Sequence, residues 1–263
     1  MKTEKSRERK TTWVIVIGIF ILLVLAAGFL FRKTSNSKKD MDKTADKTAD
    51  EVPEELEEYM TKNLFPGFSG EEAGETIDGS LSNSEIFFEY AGSYEGTFYE
   101  DGNQKDTKNV FSLILTNTAE QTLEVMQLRI EDEDGESYQF QVSCLPSGGT
   151  VLVQELEGKA FQKGASYRIV RDTFGFLDQD QGLAALETRE EDGKIFVTNT
   201  SASQMGPIQV IYKNWEGAHA YLGGIAYRIQ LDSIKPGETL EVSAVHYQEG
   251  ESKITGMKQT VKE

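Results

Sequence analysis

Leu113-Ile-Leu-Thr-Asn-Thr118 returns later in the chain as Ile195-Phe-Val-Thr-Asn-Thr200, and Leu145-Pro-Ser-Gly-Gly-Thr-Val151 returns loosely as Ile234-Lys-Pro-Gly-Glu-Thr-Leu240. Two copies of one unit imply two domains. In each copy a strand ends in Thr-Asn-Thr, where Asn117 or Asn199 tolerates a left-handed turn and bonds local backbone. A hairpin follows, then a Pro-Gly turn, then a strand carrying Val151 and Val153 or Leu240 and Val242. The hydrophobic period is two: Phe111, Leu113 and Leu115 alternate with Ser112, Ile114 and Thr116, and Tyr138, Phe140 and Val142 alternate with Gln139, Gln141 and Ser143. Glu133-Asp134-Gly135 and Glu191-Asp192-Gly193 read as hairpin turns. The pattern predicts a mainly β protein with antiparallel β-sandwich domains over 84–178 and 182–263, divided in the polar Asp178-Gln-Asp-Gln-Gly182.

The order of strand, Asn-Thr turn, hairpin, Pro-Gly turn and strand resembles the bacterial immunoglobulin-like modules of cell-surface proteins, including the cell-adhesion-related type. The resemblance covers residues 109–155 and 193–247, and the first copy departs from it where Leu145-Pro146-Ser147-Gly148 replaces a plain Pro-Gly. It implies two tandem immunoglobulin-like sandwiches and an extracytoplasmic role, without implying a ligand.

Trp13 to Phe31, WVIVIGIFILLVLAAGFLF, is an uninterrupted apolar run flanked by basic residues. As a helix it extends roughly 28 Å, close to a bilayer's hydrocarbon core. It is expected to be a single transmembrane helix with residues 1–12 cytoplasmic, because the longer segment after it is translocated largely regardless of charge. The competing reading is a cleaved signal peptide ending at Ala26-Ala27-Gly28; the run is longer than a usual signal core and Phe29, Leu30 and Phe31 continue it. Residues 32–83 are expected to be an acidic stalk containing the repeat Asp-Lys-Thr-Ala at 42 and 46. A short helix over 53–64 and a Gly-rich loop from Phe65 to Asn83 complete this segment.

Of 27 Lys plus Arg and 44 Asp plus Glu, 20 and 42 fall in residues 34–263, giving that part a formal charge of −22. Such a surface repels phosphate backbones, so no nucleic-acid partner is expected. Cys144 is alone, which precludes an intrachain disulfide and suits a Cys-poor exported bacterial protein. On the inward phase after Phe140 and Val142, it reads as a small buried hydrophobe rather than a reactive thiol.

His219 and His246 are the only histidines, and no nucleophile elbow, His-Glu-x-x-His or Cys-x-x-Cys occurs. No catalytic residue, metal site or cofactor is therefore assigned. Glu131-Asp-Glu-Asp-Gly-Glu136 lacks the ligand series of a calcium loop and reads as a solvated hairpin tip.

The copies differ most in their hairpins: Asn117 to Gly148 is 31 positions and Asn199 to Gly237 is 38. The surplus falls around Tyr212-Lys-Asn-Trp-Glu-Gly-Ala-His-Ala-Tyr-Leu-Gly-Gly224 and brings forward Trp215, His219 and Tyr221 as candidate binding residues. The alternative is that Trp215 folds back to cap its own domain. Gly223-Gly224 marks a bulge or a close backbone approach.

The expected function is a non-catalytic binding or assembly module in a bacterial cell envelope, engaging another envelope protein or a cell-wall component. Transmembrane signalling or an anti-sigma role is the alternative, and a cell-wall enzyme lacks its catalytic set.

Overall fold

A computed structural model describes residues 64–177 and 185–260. The expected transmembrane helix, the stalk to residue 52, helix 53–64 but for Leu64, and the 178–182 boundary lie outside those residues. Among the described residues no helix is long and apolar enough to cross a membrane. The structure is mainly β, with a seven-, a four- and a three-stranded sheet.

The first copy places β3 (Ile86–Thr97), β4 (Asp106–Asn117) and β7 (Thr150–Gln154) in one sheet, and β8 (Tyr167–Phe176), β5 (Leu123–Asp132) and β6 (Ser137–Leu145) in another. The second copy repeats the order: β9 (Leu186–Glu191), β10 (Lys194–Asn199) and β13 (Thr239–Val242) against β14 (Ser252–Gln259), β11 (Ile208–Gly217) and β12 (Ala220–Leu231). Every pair within these four three-strand sets is antiparallel.

Each copy has its own core between its two sheets. In the first, Phe111, Leu113 and Val153 meet Leu128, Phe140 and Tyr167, with the Phe111 ring 4.7 Å from Tyr167 and 5.1 Å from Phe140. In the second, Ile195, Val197 and Val242 meet Val210, Tyr212 and Ile254. Period-two alternation delivers these residues to one face of each strand.

The repeated sequence has a repeated bonding pattern. The Asn117 amide donates to Leu145 O at 3.0 Å and Gln121 O at 2.9 Å; Asn199 donates to Ile234 O at 2.9 Å and Ser203 O at 2.8 Å. Gly148 and Gly237 each donate a backbone N–H to the carbonyl of that asparagine at 2.8 Å, and Thr118 and Thr200 reach back to Glu85 O and Ala185 O. A buried asparagine thus ties strand end, hairpin and Pro-Gly turn together, satisfying groups that burial would otherwise orphan.

Two expectations need correction. Phe65–Asn83 does not precede the folded part as a loop. β1 (Phe68–Glu72) pairs with β3, α1 (Ala73–Thr76) crosses over, and β2 (Ile77–Asp78) pairs parallel with β8. This segment joins both sheets of the first copy, and Phe65, Ala73 and Ile77 are buried. Its glycines serve close packing: Gly70 and Gly92 face each other across β1 and β3, where a Cβ on either would overlap the opposing backbone. The second correction concerns phase. Cys144 is buried as expected, but its φ of 51° breaks the alternation. Leu145 takes the place in the first core, and Cys144 turns to Ile211 and Ala226 of the second copy.

The copies are not beads on a string. β7 pairs parallel with β12, through Thr150↔Ala220, Val151↔Tyr221 and Leu152↔Leu222, so one sheet of each copy fuses into the seven-stranded sheet. The extra hairpin length makes this joint. Opposite Lys213, β12 carries an excursion through Gly223 (φ 77°) and Gly224 before Tyr227 resumes pairing with Tyr212. The Gly-Gly pair is thus both an irregularity and a close approach, because a Cβ on Gly224 would overlap the Gln141 carbonyl oxygen and lie 2.7 Å from Val153 Cγ2. Gly224→Ala is expected to destabilise the protein by about 3 kcal/mol, the scale of overpacking at a site that cannot yield. Gly256→Ala, with nothing within 4 Å of its Cβ, should be nearly silent, and thermal melting of the two variants checks the contrast.

Candidate functional site: a cleft beside the fused seam

Where β7 and β12 part after Leu152 and Leu222, their next amides would lose ladder partners. Glu100, in the turn after β3, fills the fork: its Oε1 accepts Gln154 N–H at 2.9 Å and Gly224 N–H at 2.8 Å, and its Oε2 accepts Ile225 N–H at 3.3 Å. On the other side of Gly224, the Lys213 ammonium donates to Gly224 O at 2.6 Å and Ser143 O at 3.3 Å. Lys213 is 0% exposed.

Burial pushes the Glu100 carboxyl up, against the three N–H donors and the Lys213 charge that pull it down. Burial lowers the Lys213 ammonium to about 8, outweighing the attraction of Glu100. Burial likewise raises the Cys144 thiol, with Arg228 opposing, so its reactive thiolate form is disfavoured.

Beside this seam lies a cavity of about 400 Å³, lined by Thr97, Tyr99 and Gln104 from the first copy and by Asn214, Glu216, Leu222, Gln248 and Glu251 among others from the second. Asn214 and Glu216 alternate with Lys213 and Trp215 along β11, so they belong to the opposite strand face. The β13–β14 loop is fastened to the wall by Trp215 N–H on Glu251 O at 2.8 Å, and Gln248 N–H donates to Ser252 Oγ at 3.1 Å. The Gly223 conformation makes room for Tyr99, whose Cβ would lie 2.7 Å from a Cβ at that position.

The electrostatics of the cleft are one-sided. Glu216 is raised by burial and then by the charge of Glu251. Tyr94 is pushed up to about 12 by burial, then by Tyr99 and Glu216; Tyr99 is raised mainly by burial, with both carboxylates adding to it. Neither Glu216 nor Glu251 forms an ion pair among the described residues. Asn214 is 9% exposed, lines the cavity, and its side-chain amide makes no hydrogen bond among the described residues.

The three candidates read from sequence have different fates. Trp215 is half-buried and lines the cleft, but its indole packs on the first copy's core, donates Nε1–H to Ala218 O at 3.0 Å and has the Lys253 ammonium 5.7 Å from its ring centroid. Tyr221 pairs with Trp215 across the hairpin and is 5% exposed within that core, so its ring is not presented to a partner. His219 is exposed at the turn, outside the cleft lining, and its carbonyl accepts Thr150 N–H at 2.9 Å to begin the seam. The indole therefore caps the neighbouring copy rather than its own. Tyr99, Glu100, Asn214, Glu216 and Glu251 were not singled out by the sequence; Lys213 and Asn214, lying inside an otherwise apolar strand, were the available signal.

At the acidic hairpin tip, Asp132 accepts N–H bonds from Asp134 and Glu136 and the Tyr138 hydroxyl, while Glu131 pairs with Arg129 and Arg168. Among the described residues, no group of three or more His, Cys, Asp or Glu is arranged to hold a metal ion. No protein-family model matches this chain, and no characterised protein matches its sequence.

The Lys213 shift has a defined sign. Its folded value lies below that of an unfolded lysine, about 10.4, so between pH 8 and that value the unfolded chain holds more protons and stability rises with pH. Below pH 8 the cost of the buried charge is fully present. From pH 7.5 to 9.5, unfolding free energy relative to Lys213→Met should therefore rise by roughly 2 kcal/mol, read from denaturant titrations at the two pH values.

Proposed function

We propose that this chain is a non-catalytic binding or assembly module of a bacterial cell envelope. In this reading residues 13–31 span the membrane once, residues 1–12 are cytoplasmic, and two tandem immunoglobulin-like sandwiches stand outside. The supporting observation is the open cleft beside a seam where two repeats are fused through a shared sheet. Fusing two domains through a parallel strand pair and a buried ionic fork fixes one relative orientation, and a cleft formed from both copies then has walls of fixed geometry. Such rigidity suits recognition, because a pre-organised surface loses little conformational freedom when a partner arrives. Clefts at the junction of two units are also a favoured place for ligands. The apolar run supports the tether, and the long segment after it, which can be translocated largely regardless of its charge, is consistent with the extracytoplasmic side.

A photo-crosslinking residue replacing Gln248, on the rim of the cleft, should give a discrete adduct in intact envelopes, whereas one replacing the exposed Glu187 should not. Absence of an adduct at 248 overturns the cleft as the binding surface. Reporter fusions at residue 5 and residue 263 should be active on opposite sides of the membrane, and activity of both on one side would overturn the single-span topology.

A further inference from the structure

We infer that the cleft receives a primary alkylammonium group, with Glu216 and Glu251 as its countercharges, the Asn214 amide as a neutral acceptor and Tyr99 with Leu222 as the wall for its carbon chain. This rests on reading the cleft as a binding site and names the chemistry that fits it.

Three observations converge. Glu216 and Glu251 interact repulsively within one cavity, and no Lys or Arg is among the residues that line it. The nearby Lys253 ammonium is taken up by the Trp215 ring, and its backbone neighbour Ser252 is the one that lines the cleft. A pair of like charges held together without a partner is unfavourable until an opposite charge arrives. The second observation is Asn214. Asn214 lines the cavity and is nine-tenths buried as a residue, and its amide has no hydrogen-bond partner among the described residues, so its carbonyl oxygen is a ready acceptor for an N–H donor entering the cavity.

The third is size and lining. About 400 Å³ is room for some dozen waters at roughly 30 Å³ each, too much for a bare metal ion, and two carboxylates with one amide are a poor cage for one. Leu222 and Tyr99 are non-polar members of a largely polar lining, and the methylenes next to an ammonium can use them where a hydrated metal would not. An ammonium has three donors, enough to bond both carboxylates and the amide together.

The test uses full-length chain in neutral detergent and isothermal titration at pH 7.5 with two amines. Nα-acetyl-lysine methylamide represents a lysine side chain of a protein or peptide, and 1,5-diaminopentane represents a free amine. Tighter binding of the lysine derivative assigns the source to a polypeptide, and tighter binding of the diamine assigns it to a small molecule; either supports the site. The Nε-acetylated lysine derivative, which has no charge, should bind at least tenfold more weakly. Glu216→Gln with Glu251→Gln should lower amine affinity at least tenfold, and Asn214→Leu several-fold. Because Asn214 is buried, Glu251→Gln alone, on the exposed rim, serves as the variant that keeps the fold, and it too should weaken binding. Equal binding of the charged and acetylated derivatives, or no saturable binding of either amine at 10 mM, overturns the assignment. If the amines fail while position 248 still crosslinks in envelopes, the ammonium chemistry falls and the cleft remains a binding surface; if both fail, both readings fall.

Discussion

The joint between the repeats depends on a single residue held between opposite charges. Gly224 gives its N–H to the Glu100 carboxylate and its carbonyl to the Lys213 ammonium, and neither charged group reaches solvent to any useful extent. Removing two ions from water is costly, and a well-packed apolar pair in their place would often be as stable. What an apolar pair could not do is terminate a parallel ladder. At the fork between β7 and β12, two strands end their pairing at the same level, and Gln154 and Gly224 both present unpaired amides. A carboxylate accepts from both at once, and a lysine of the next strand collects the carbonyl left on the other side.

That arrangement constrains everything around it. Gly224 must lack a side chain because Gln141 O and Val153 close on it, and Gly223 must be left-handed so that the chain leaves the sheet beside Tyr99. Cys144 turns out of the first core to meet Ile211 and Ala226, and Ser143 accepts Ala226 N–H at 2.8 Å, so β6 is pinned to β12 next to the fork. The Lys258–Glu124 pair adds a third tie between the copies. Each tie is modest alone; together they leave the two sandwiches no independent hinge at this face.

Much of the fold was legible because its signals are local. The Thr-Asn-Thr and Pro-Gly segments encode their turns in side chains that bond within a few residues or within one hairpin, so Asn117 and Asn199 were readable as equivalent and are equivalent in their bonds. Alternation gave the inward residues of β4, and of β6 as far as Val142, correctly for the same reason. The seam was not legible, since a parallel pairing of β7 with β12 joins residues about seventy positions apart and leaves no periodic trace. Nor was β1 to β2, whose Gly and Glu content matches a solvated loop although its glycines are there for strand-to-strand contact. Cys144 shows how a single left-handed residue defeats a phase argument that is sound on either side of it.

The seven-residue surplus of the second hairpin therefore has two consequences from one cause. Extending β11 and β12 past their own core carries Ala220 to Leu222 into the neighbouring sheet, which creates the seam. The same extension leaves the opposite face of β11, with Asn214 and Glu216, facing the turn of β3 and the β13–β14 loop across open space. An extension that served only to weld the copies would gain by closing that space with apolar side chains, as Tyr221 does where it is buried in the first copy's core. Instead the open side carries two carboxylates that repel each other and an amide with no partner among the described residues. Their presence beside the most constrained part of the molecule is the ground on which a binding role for the cleft is proposed.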